Sequence, residues 1–447
     1  MTGKAPTFPN NTAYREAARI CRALREGGWI AYLAGGCVRD ALLGRPIQDY
    51  DIATSAPPSA VEKRFEKTVG KGKSFGVISV FSEGIDYEVA TFRTDGRYVD
   101  GRRPESVAFG DARGDATRRD FTINGLFFDP ESGGILDYVG GLASLDAREI
   151  RAIGDPRERF DEDKLRLLRA VRFAAQIGFE IEEETWAALR EKAAGIRVVS
   201  AERIREELSK LLANPNRRQG IESLRCAGLL EILLPEITAL IGVKQGPLAH
   251  PEGDVYAHTL LMLDMVSHPA PSALIWAVLL HDIGKPPTAS NVEGRIRFYL
   301  HPEVGADMAD AVLRRLRFAG EERERIVRLV RRHLSLLQAR KMSRGKLKRL
   351  FEEPDFPLHF ELHRLDASAS NGVLTDYLFC RRLLEEFRAE PPTPPPLITG
   401  HDLIRLGLAP GPRFSEILSW VREEQIEGRL EGHEAAVEAV RRRWPVV

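Results

Sequence analysis

The sequence predicts an α+β protein, in which an N-terminal head with a mixed sheet and helices precedes an all-α region. Short apolar runs typical of strands are confined to residues 29–140. After residue 155, apolar residues recur with the 3.6-residue period of helices, and strand patterns become few. The chain has 447 residues, of which 43% are hydrophobic, so it is long enough for several domains with separate cores.

Four domains are predicted along the chain: a head at 12–150, a helical neck at 151–245, a third domain at 246–390 and a helical tail at 397–447. Strands of the head are expected at 29–33, 49–53, 76–81, 87–92 and 126–128, after an amphipathic helix at 12–27. The polar segment 93–117 predicts a mobile loop, and the proline-rich run 391–396 predicts a stiff linker. Periodicity predicts helices at 165–176 and 204–212 in the neck.

Charge and cysteine content restrict the class of protein. Lys+Arg and Asp+Glu each number 65, so the net charge is zero and any nucleic-acid binding must use local basic patches. The four cysteines are scattered without a CxxC pair, which favours a reduced, cytoplasmic protein over a disulfide or zinc scaffold. The longest apolar run, 273–280, is too short to span a bilayer and predicts a buried helix. We therefore expect a cytoplasmic location, no membrane association and no obligate protein partner.

A possible phosphate site lies at the start of the head. The predicted strand at 29–33 leads into a two-glycine turn, Gly35 and Gly36, and then into a short helix that carries Arg39. Glycine lets a phosphate approach the backbone closely, and a guanidinium can hold a phosphate through two parallel hydrogen bonds. This segment therefore predicts binding of a polyphosphate.

Carboxylates that could hold Mg²⁺ follow this turn. Asp49 and Asp51 lie two positions apart in a predicted strand, so we expect both side chains on one face of the sheet. Glu88, in a later predicted strand, is a third candidate. Three carboxylates that hold two Mg²⁺ ions could activate an attacking hydroxyl and stabilise a leaving pyrophosphate. An Asp-x-Asp pair alone is more often a solvated turn, and only its neighbours favour catalysis.

Two later clusters could bind the rest of a nucleotide. In the first, Arg119 could meet phosphate while Asp120 and Asn124 meet ribose hydroxyls, although the cluster could instead be a capped helix N-terminus. In the second, Asp163 and Arg166 are expected on one helix face, because they are three residues apart. A carboxylate beside a guanidinium matches the amino donor and ring acceptor of cytosine and adenine, and rejects guanine and uracil. A surface ion pair is the plainer alternative for this second cluster.

These motifs together resemble the bacterial-type (class II) tRNA nucleotidyltransferase and poly(A) polymerase family. The matching segments occur in order at 35–40, 49–51, 118–124, 162–166 and 201–204, with Gly125 where alanine is usual. The resemblance implies that Asp49 and Asp51 bind metal and that Asp163 and Arg166 recognise the base. It implies further nucleotide contacts, to triphosphate, ribose and other parts, for Gly36, Arg39, Arg119, Asp120, Asn124, Arg169 and Arg172.

A second set of potential ligands lies in the third predicted domain. It comprises histidines and aspartates, which suit divalent transition metals: His258, His281, Asp282 and Asp366, with His301 and His333 as candidates for a second ion. Their spacing resembles the HD phosphohydrolase superfamily, whose usual ligands correspond to the first four. Lys285 could polarise a phosphate. A degenerate domain could also keep such ligands for structure alone, so hydrolytic activity is left open.

The segments around these histidines, and the tail at 399–412, resemble CCA-adding enzymes with an embedded HD domain. The resemblance implies an enzyme that builds or repairs the 3′ CCA end of tRNA from CTP and ATP. It also implies Mg²⁺ in the head and an unspecified divalent transition metal at the HD site.

Three alternatives remain open: a poly(A) polymerase or partial-adding enzyme, an HD phosphohydrolase whose head only binds RNA, and a tRNA-binding chaperone. The long segment 93–117 favours full CCA addition, because A-only relatives resemble this head but lack such a loop. The stretch 314–349 carries 14 Lys and Arg, and is either an RNA-binding patch or a solvated helix face.

Overall fold

The structure is a computed structural model that describes residues 5–72, 76–96, 107–246, 250–390 and 395–445. The chain divides into two compact units, residues 1–235 and 236–447. The predicted division into four domains is finer and stays a prediction. No helix within the described ranges is long and apolar enough to cross a membrane.

The first unit contains eleven helices and eleven strands among its described residues. The helices are α1 Thr12–Glu26, α2 Gly36–Leu43, α3 Pro58–Arg64, α4 Ala112–Thr117, α5 Gly141–Ala147, α6 Pro156–Glu162, α7 Arg166–Ile177, α8 Glu183–Lys192, α9 Ala201–Leu212, α10 Arg217–Cys226 and α11 Leu229–Leu233. The strands are β1 Ala31–Ala34, β2 Asp51–Thr54, β3 Thr68–Gly72, β4 Val77–Ser82, β5 Ile85–Thr91, β6 Arg93–Asp95, β7 Val107–Phe109, β8 Leu126–Phe128, β9 Ile135–Asp137, β10 Glu149–Ile150 and β11 Glu180–Ile181. Short 3-10 helices occur at Thr122–Asn124 and Ala193–Val198.

The second unit is built from helices and one hairpin. Its helices are α12 Pro235–Thr238, α13 Val255–Met265, α14 Ser272–Leu280, α15 Lys285–Thr288, α16 His301–Arg315, α17 Gly320–Arg332, α18 Arg344–Phe351, α19 Phe356–Ala369, α20 Thr375–Ala389, α21 Gly400–Arg405, α22 Pro412–Ile426 and α23 His433–Arg443. The strands are β12 Ala289–Val292 and β13 Arg295–Phe298, and a 3-10 helix spans Ser335–Lys341. The predicted class, a mixed α/β head followed by helices, is confirmed.

One mixed sheet dominates the first unit. Its seven strands run in the order β3-β4-β5-β2-β1-β8-β9. The central strands β2 and β5 are parallel, and Ile52 pairs with Val89. Asp51 and Glu88 therefore occupy the preceding positions of two neighbouring strands and point to the same face.

The predicted strand at 49–53 is correct in place but starts too early. Strand β2 begins at Asp51, which pairs with Ala34, the last residue of β1. Asp49 has no strand partner because β1 ends there and the chain turns at Gly35. The expectation that Asp49 and Asp51 lie on one strand face is therefore wrong.

The segment 93–117, predicted as a mobile loop, is partly ordered. Strands β6 and β7 pair in antiparallel fashion, and α4 follows with Asp111 as its N-cap. The Asp111 carboxylate accepts a hydrogen bond from the backbone N–H of Gly114 at 2.8 Å, which stabilises the first turn. Residues 97–106 of this segment and 391–394 of the predicted linker lie outside the described residues.

The apolar helix predicted at 273–280 is confirmed as α14, which is buried on all sides and packs against α13, α17 and α19. The hairpin of β12 and β13 was not predicted in this region. Its turn residues Glu293 and Gly294 both have positive φ, as a two-residue hairpin turn requires.

Candidate active site and metal centre

The turn between β1 and α2 requires glycine at its first position because of its backbone conformation. Gly35 has φ +70° and ψ −125°, outside the αL region, where residues with a Cβ are strained. A Cβ built there would lie 2.8 Å from Nη1 of Arg119. The Arg119 guanidinium therefore packs closely against the backbone at the point where α2 begins.

Two carboxylates face this turn from neighbouring strands. The pKa of the Asp51 carboxyl is raised to about 6, first by desolvation and then by the negative charge of Glu88, with a smaller effect from Asp49. The Arg119 guanidinium opposes this shift but does not cancel it. The side chain of Asp51 is still open to solvent. Three acidic groups thus lie near one another, and the positive charge of Arg119 does not balance them. Such a set fits a divalent cation.

A buried aspartate that the sequence analysis missed orients the two adjacent arginines. Asp115, on α4, is 1% exposed and bonds both Arg118 and Arg119, at 2.6 and 3.0 Å. The spacing of three and four residues along one helix could have indicated these pairs. Arg118 caps the C-terminus of α4, so the alternative of a helix N-terminus at this cluster is wrong.

The predicted ribose-contacting residues form one hydrogen-bonded chain. Nδ2 of Asn124 donates to Oδ1 of Asp120 at 3.0 Å, and its Oδ1 accepts from Nη1 of Arg39 at 2.8 Å. Arg39 is 4% exposed and also forms a two-point ion pair with Asp40. Burial tends to raise the pKa of the Asp120 carboxyl, but Arg169 and Asn124 outweigh that effect and hold the pKa well below its usual range.

Glu207, which the sequence analysis also missed, links the arginines of α7. Oε2 of Glu207 accepts from Nε of Arg172 at 2.6 Å, and Oε1 lies 3.8 Å from Arg169. Arg169 in turn donates to Asp120 at 2.7 Å. A buried acid on α9 therefore bonds Arg172 and lies beside Arg169, which itself bonds the predicted ribose-contacting residue Asp120. Since α9 is distant in sequence, only the fold could reveal this contact.

The predicted base-recognition pair does not lie on one helix. Asp163 is the C-cap of α6, while Arg166 is the first residue of α7, so the expected shared helix face is wrong. Asp163 forms a two-point ion pair with Arg203, at 2.8 and 3.2 Å. Arg166 bonds Glu162 at 2.6 Å. Each member of the pair is therefore held by its own partner.

Three histidines of the second unit are oriented in the same manner. Nδ1 of His281, His301 and His333 lies 2.9, 2.8 and 2.6 Å from the backbone carbonyl oxygen three residues earlier. When Nδ1–H donates to that carbonyl, Nε2 is left unprotonated and available to a ligand. Burial lowers the pKa of His333 to about 3, which keeps its ring neutral.

All six predicted metal ligands of this unit come together, in two groups. Within each group the ligand atoms lie within 4.8 Å of one another: His258, His281 and Asp366 form one, and Asp282, His301 and His333 form the other. Nε2 of His258 lies 3.2 Å from Oδ1 of Asp366, and Nε2 of His281 lies 3.1 Å from Oδ2 of Asp282. Buried imidazole nitrogens gathered beside carboxylates are the donor set of a divalent transition metal.

The side chains of Lys285 and Gln245 lie beside these ligand groups. Nζ of Lys285 is 2.6 Å from Oδ2 of Asp282 and 2.6 Å from Oε1 of Gln245. The lysine is 6% exposed. Its charge is thus fixed beside the ligands, and the predicted contact of Lys285 with a phosphate stays a prediction.

The basic stretch 314–349 is largely neutralised. Acidic side chains pair with most of its arginines; Asp310 contacts Arg314 and Arg323, and Asp355 contacts Arg325 and Arg328. Charge counting along the sequence missed these pairs because the acids lie elsewhere in the chain. The stretch therefore gives little support to a strong RNA-binding patch.

Comparison with known proteins decides the family. The poly A polymerase head domain matches residues 31–151, the probable RNA and SrmB-binding site of polymerase A matches 178–241, and the HD domain matches 222–368. A CCA-adding enzyme of Lactobacillus delbrueckii subsp. bulgaricus is 33% identical over 430 residues, which cover 95% of this chain and 96% of that protein. This chain belongs to the CCA-adding enzyme family.

Other CCA-adding enzymes agree with this assignment. That of Enterococcus faecalis is 46% identical over 219 residues, 49% of this chain and 53% of that protein. The crystal structure of the Bacillus stearothermophilus CCA-adding enzyme in complex with CTP has a TM-score of 0.74 at 27% identity, covering 97% of this chain and 99% of that chain. The Thermotoga maritima CCA-adding enzyme complexed with tRNA, at 20% identity and a TM-score of 0.56, shares the fold.

Proposed function

We propose that this chain adds or repairs the 3′-terminal CCA of tRNA, using CTP and ATP. The observation that carries the proposal is the pair Asp51 and Glu88 on neighbouring strands beside Arg119, in a chain similar along nearly its full length to CCA-adding enzymes. The tRNA 3′-hydroxyl attacks the α-phosphate of the nucleotide, and pyrophosphate leaves. Positioning and charge stabilisation account for most of such catalysis.

Asp49, Asp51 and Glu88 are the proposed metal-binding carboxylates of the head. Mutual repulsion among acidic groups around Asp51 supports this role, because a bound divalent cation relieves it. Mg²⁺, when bound, supplies charge stabilisation for the attacking oxygen and the leaving pyrophosphate. Asp49 is the least constrained of the three, since it lies outside strand β2.

The triphosphate is proposed to lie along the start of α2. Gly35 and Gly36 let it approach the backbone, and Arg119 supplies a guanidinium that Asp115 orients. Arg39 is already committed to Asp40 and Asn124, so its proposed role combines phosphate contact with orientation of Asn124.

Asp120 and Asn124 are proposed to hold the ribose, with Arg169 and Arg172 behind them. Arg169 donates to Asp120, and Glu207 holds both arginines. We therefore assign Arg169 and Arg172 as positioning residues that act through Asp120 and Glu207.

Asp163 and Arg166 are proposed to select the base. Asp163 accepts from the amino group of C or A, and Arg166 donates to the adjacent ring nitrogen. Arg203 orients the Asp163 carboxylate and Glu162 orients the Arg166 guanidinium, so each side chain of the proposed pair is held by a partner of its own.

A direct test uses tRNA that lacks its CCA end, incubated with CTP alone and then with ATP. The proposal predicts incorporation of C followed by A. A poly(A) polymerase or A-only enzyme would add A but never C. If the head only bound RNA, neither nucleotide would be incorporated.

We also propose that the second unit holds a divalent transition metal and hydrolyses a phosphate ester. The six ligands His258, His281, Asp282, His301, His333 and Asp366 support it, because their ring nitrogens and carboxylate oxygens lie in two groups, within 4.8 Å of one another in each. The metal, when bound, supplies a nucleophilic water and charge stabilisation. Hydrolysis of 2′,3′-cyclic or phosphorylated RNA ends should depend on added metal and be lost in His281→Ala.

A further inference from the structure

A line of hydrogen bonds connects the histidine–aspartate ligands to the protein surface. Oε1 of Glu252 lies 2.6 Å from Nδ1 of His258, whose opposite nitrogen, Nε2, lies 3.2 Å from Oδ1 of Asp366. The same Glu252 oxygen lies 2.9 Å from Nδ1 of His250. His258 is fully buried and the Glu252 side chain is 9% exposed, while that of His250 is 18% exposed.

His258 differs from the other histidine ligands in this contact. His281, His301 and His333 donate Nδ1–H to neutral backbone carbonyls, whereas His258 meets a carboxylate. A carboxylate behind a ligating imidazole fixes the tautomer and makes the ring a stronger donor to metal than a neutral carbonyl does. His258 should therefore be the strongest histidine donor of its group.

At 2.6 and 2.9 Å, the imidazole nitrogens of His258 and His250 are both in hydrogen-bond contact with one carboxylate oxygen of Glu252. Ser370 Oγ also lies 3.4 Å from Nδ1 of His250. Glu252 thus bridges two imidazoles. Because these three residues are close enough to hold an ion of their own, the titration below also measures stoichiometry.

We propose that Glu252 is a positioning residue for the His258 metal ligand, and that His250 orients Glu252 from the solvent side. This inference rests on the proposed metal centre of the second unit. Glu252 holds Nε2 of His258 towards Asp366 and His281 and raises its affinity for the ion. His250 occupies the second donor position on the same carboxylate oxygen, which keeps the carboxylate in the orientation that His258 needs.

The test is a metal titration of the full chain. Metal is removed with a chelator, and Co²⁺ is returned in competition with a chromophoric chelator, so that affinity, stoichiometry and the Co²⁺ absorption spectrum are measured together. Glu252→Gln should weaken binding about 10- to 100-fold, the usual effect of losing such a carboxylate partner. Its spectrum should also change, because the donor strength of one ligand changes. Glu252→Asp should recover part of the affinity.

Asp254→Asn is the matched control. Asp254 lies in the same segment and caps α13, accepting hydrogen bonds from the N–H groups of Ala257 and Gly242 at 2.8 and 2.6 Å. Its loss should lower the temperature of unfolding without a comparable change in Co²⁺ affinity or spectrum.

The possible outcomes distinguish the role of Glu252 from the existence of the metal centre. If the wild-type chain binds Co²⁺ that His281→Ala does not bind, and Glu252→Gln still binds it within about twofold, the role of Glu252 is wrong and the metal centre stands. If the wild-type chain binds no Co²⁺, the metal centre and this inference both fail. If His250→Ala removes one whole ion from the stoichiometry, His250 is itself a ligand and the bridging role is wrong.

Discussion

The pKa of Asp51 reflects the burial and the charges around its carboxyl group. Its pKa is raised to about 6, so the ionised carboxylate is less favourable in the folded protein than in the unfolded chain, where an aspartate titrates near about 3.9. Without a divalent cation, this residue therefore favours folding more below the unfolded pKa, and that contribution is lost as the pH rises through about 6.

The first prediction concerns this carboxylate. Asp51→Asn should lower nucleotide incorporation by about 10²–10³-fold or more, because charge stabilisation of the reacting phosphate is lost. At pH 8 without divalent cations, the same variant should unfold at an equal or higher temperature than the wild type, because a repelled charge has been removed. Thermal unfolding and incorporation assays measure the two effects. A variant that retains most activity would remove Asp51 from the active site.

Glu207 carries a second prediction, about stability and activity together. It is 4% exposed and bonds Arg172 while lying near Arg169, so Glu207→Ala leaves buried guanidinium charge without its partner. Breaking such a buried pair costs about 3–5 kcal/mol of the free energy of unfolding. Incorporation should fall as well, because Arg169, which bonds Asp120, loses the neighbouring Glu207 carboxylate.

Denaturant unfolding measures this cost, with Glu206→Ala as the control on the same helix. Glu206 is exposed, so its replacement should change the free energy of unfolding by about 0.5 kcal/mol or less. Equal effects of the two substitutions would mean that the buried network does not stabilise the fold.

The turn before α2 yields a third prediction. Gly35→Ala places a methyl group against Nη1 of Arg119 and also forces alanine into a conformation with positive φ. Gly44, at the other end of α2, has φ +66° with nothing within 4 Å of a built Cβ. Gly44→Ala should cost about 1–2 kcal/mol of the free energy of unfolding through backbone strain. Gly35→Ala should cost more, because its φ of +70° and ψ of −125° lie outside the αL region. Only Gly35→Ala should also raise the KM for CTP and ATP, since only it displaces Arg119.

Steady-state kinetics with both nucleotides separates these effects. Similar KM values for the two variants would show that the tight contact between Gly35 and Arg119 does not matter for nucleotide binding. Gly44→Ala controls for the cost of a positive φ next to α2, and only Gly35→Ala changes the contact with Arg119.

Regular helices and central strands could be predicted from local pattern, whereas partners distant in sequence could not. The helix α7 follows from apolar periodicity, the buried helix α14 from one unbroken apolar run, and β4, β5 and β8 from shorter apolar runs. The start of β2 depends on where its partner β1 ends, which no pattern within the strand contains. The hairpin of β12 and β13 was missed because its strands are exposed and carry no buried face.

In the candidate site, too, local motifs could be predicted and contacts between distant residues could not. Motif residues such as Asp51 and Arg119 could be chosen from the sequence, and the spacing of Asp115 from the two arginines was a local signal for it. Glu207 and Glu252 had no such signal. These acids matter through contacts that form only in the folded chain. Charge counting failed for the same reason in 314–349, where acids from other segments pair with the arginines.

The two compact units carry separate candidate chemistries, and this gives a fourth prediction. Because the carboxylates of the head and the histidines of the second unit lie in different units, their activities should be separable. His281→Ala should abolish metal-dependent hydrolysis of RNA-end phosphates and leave nucleotide incorporation, while Asp51→Asn should do the reverse. Parallel assays of both activities on both variants check this. Loss of both activities in either variant would contradict independent sites.

Full CCA addition by one chain is the central proposal. Its most direct test is stepwise incorporation into a tRNA that lacks CCA, with products separated at single-nucleotide resolution. We predict extension by C alone when only CTP is present, and completion with a terminal A once ATP is added. Incorporation of A without prior C, or no incorporation by the wild-type chain with Mg²⁺ present, would contradict the account.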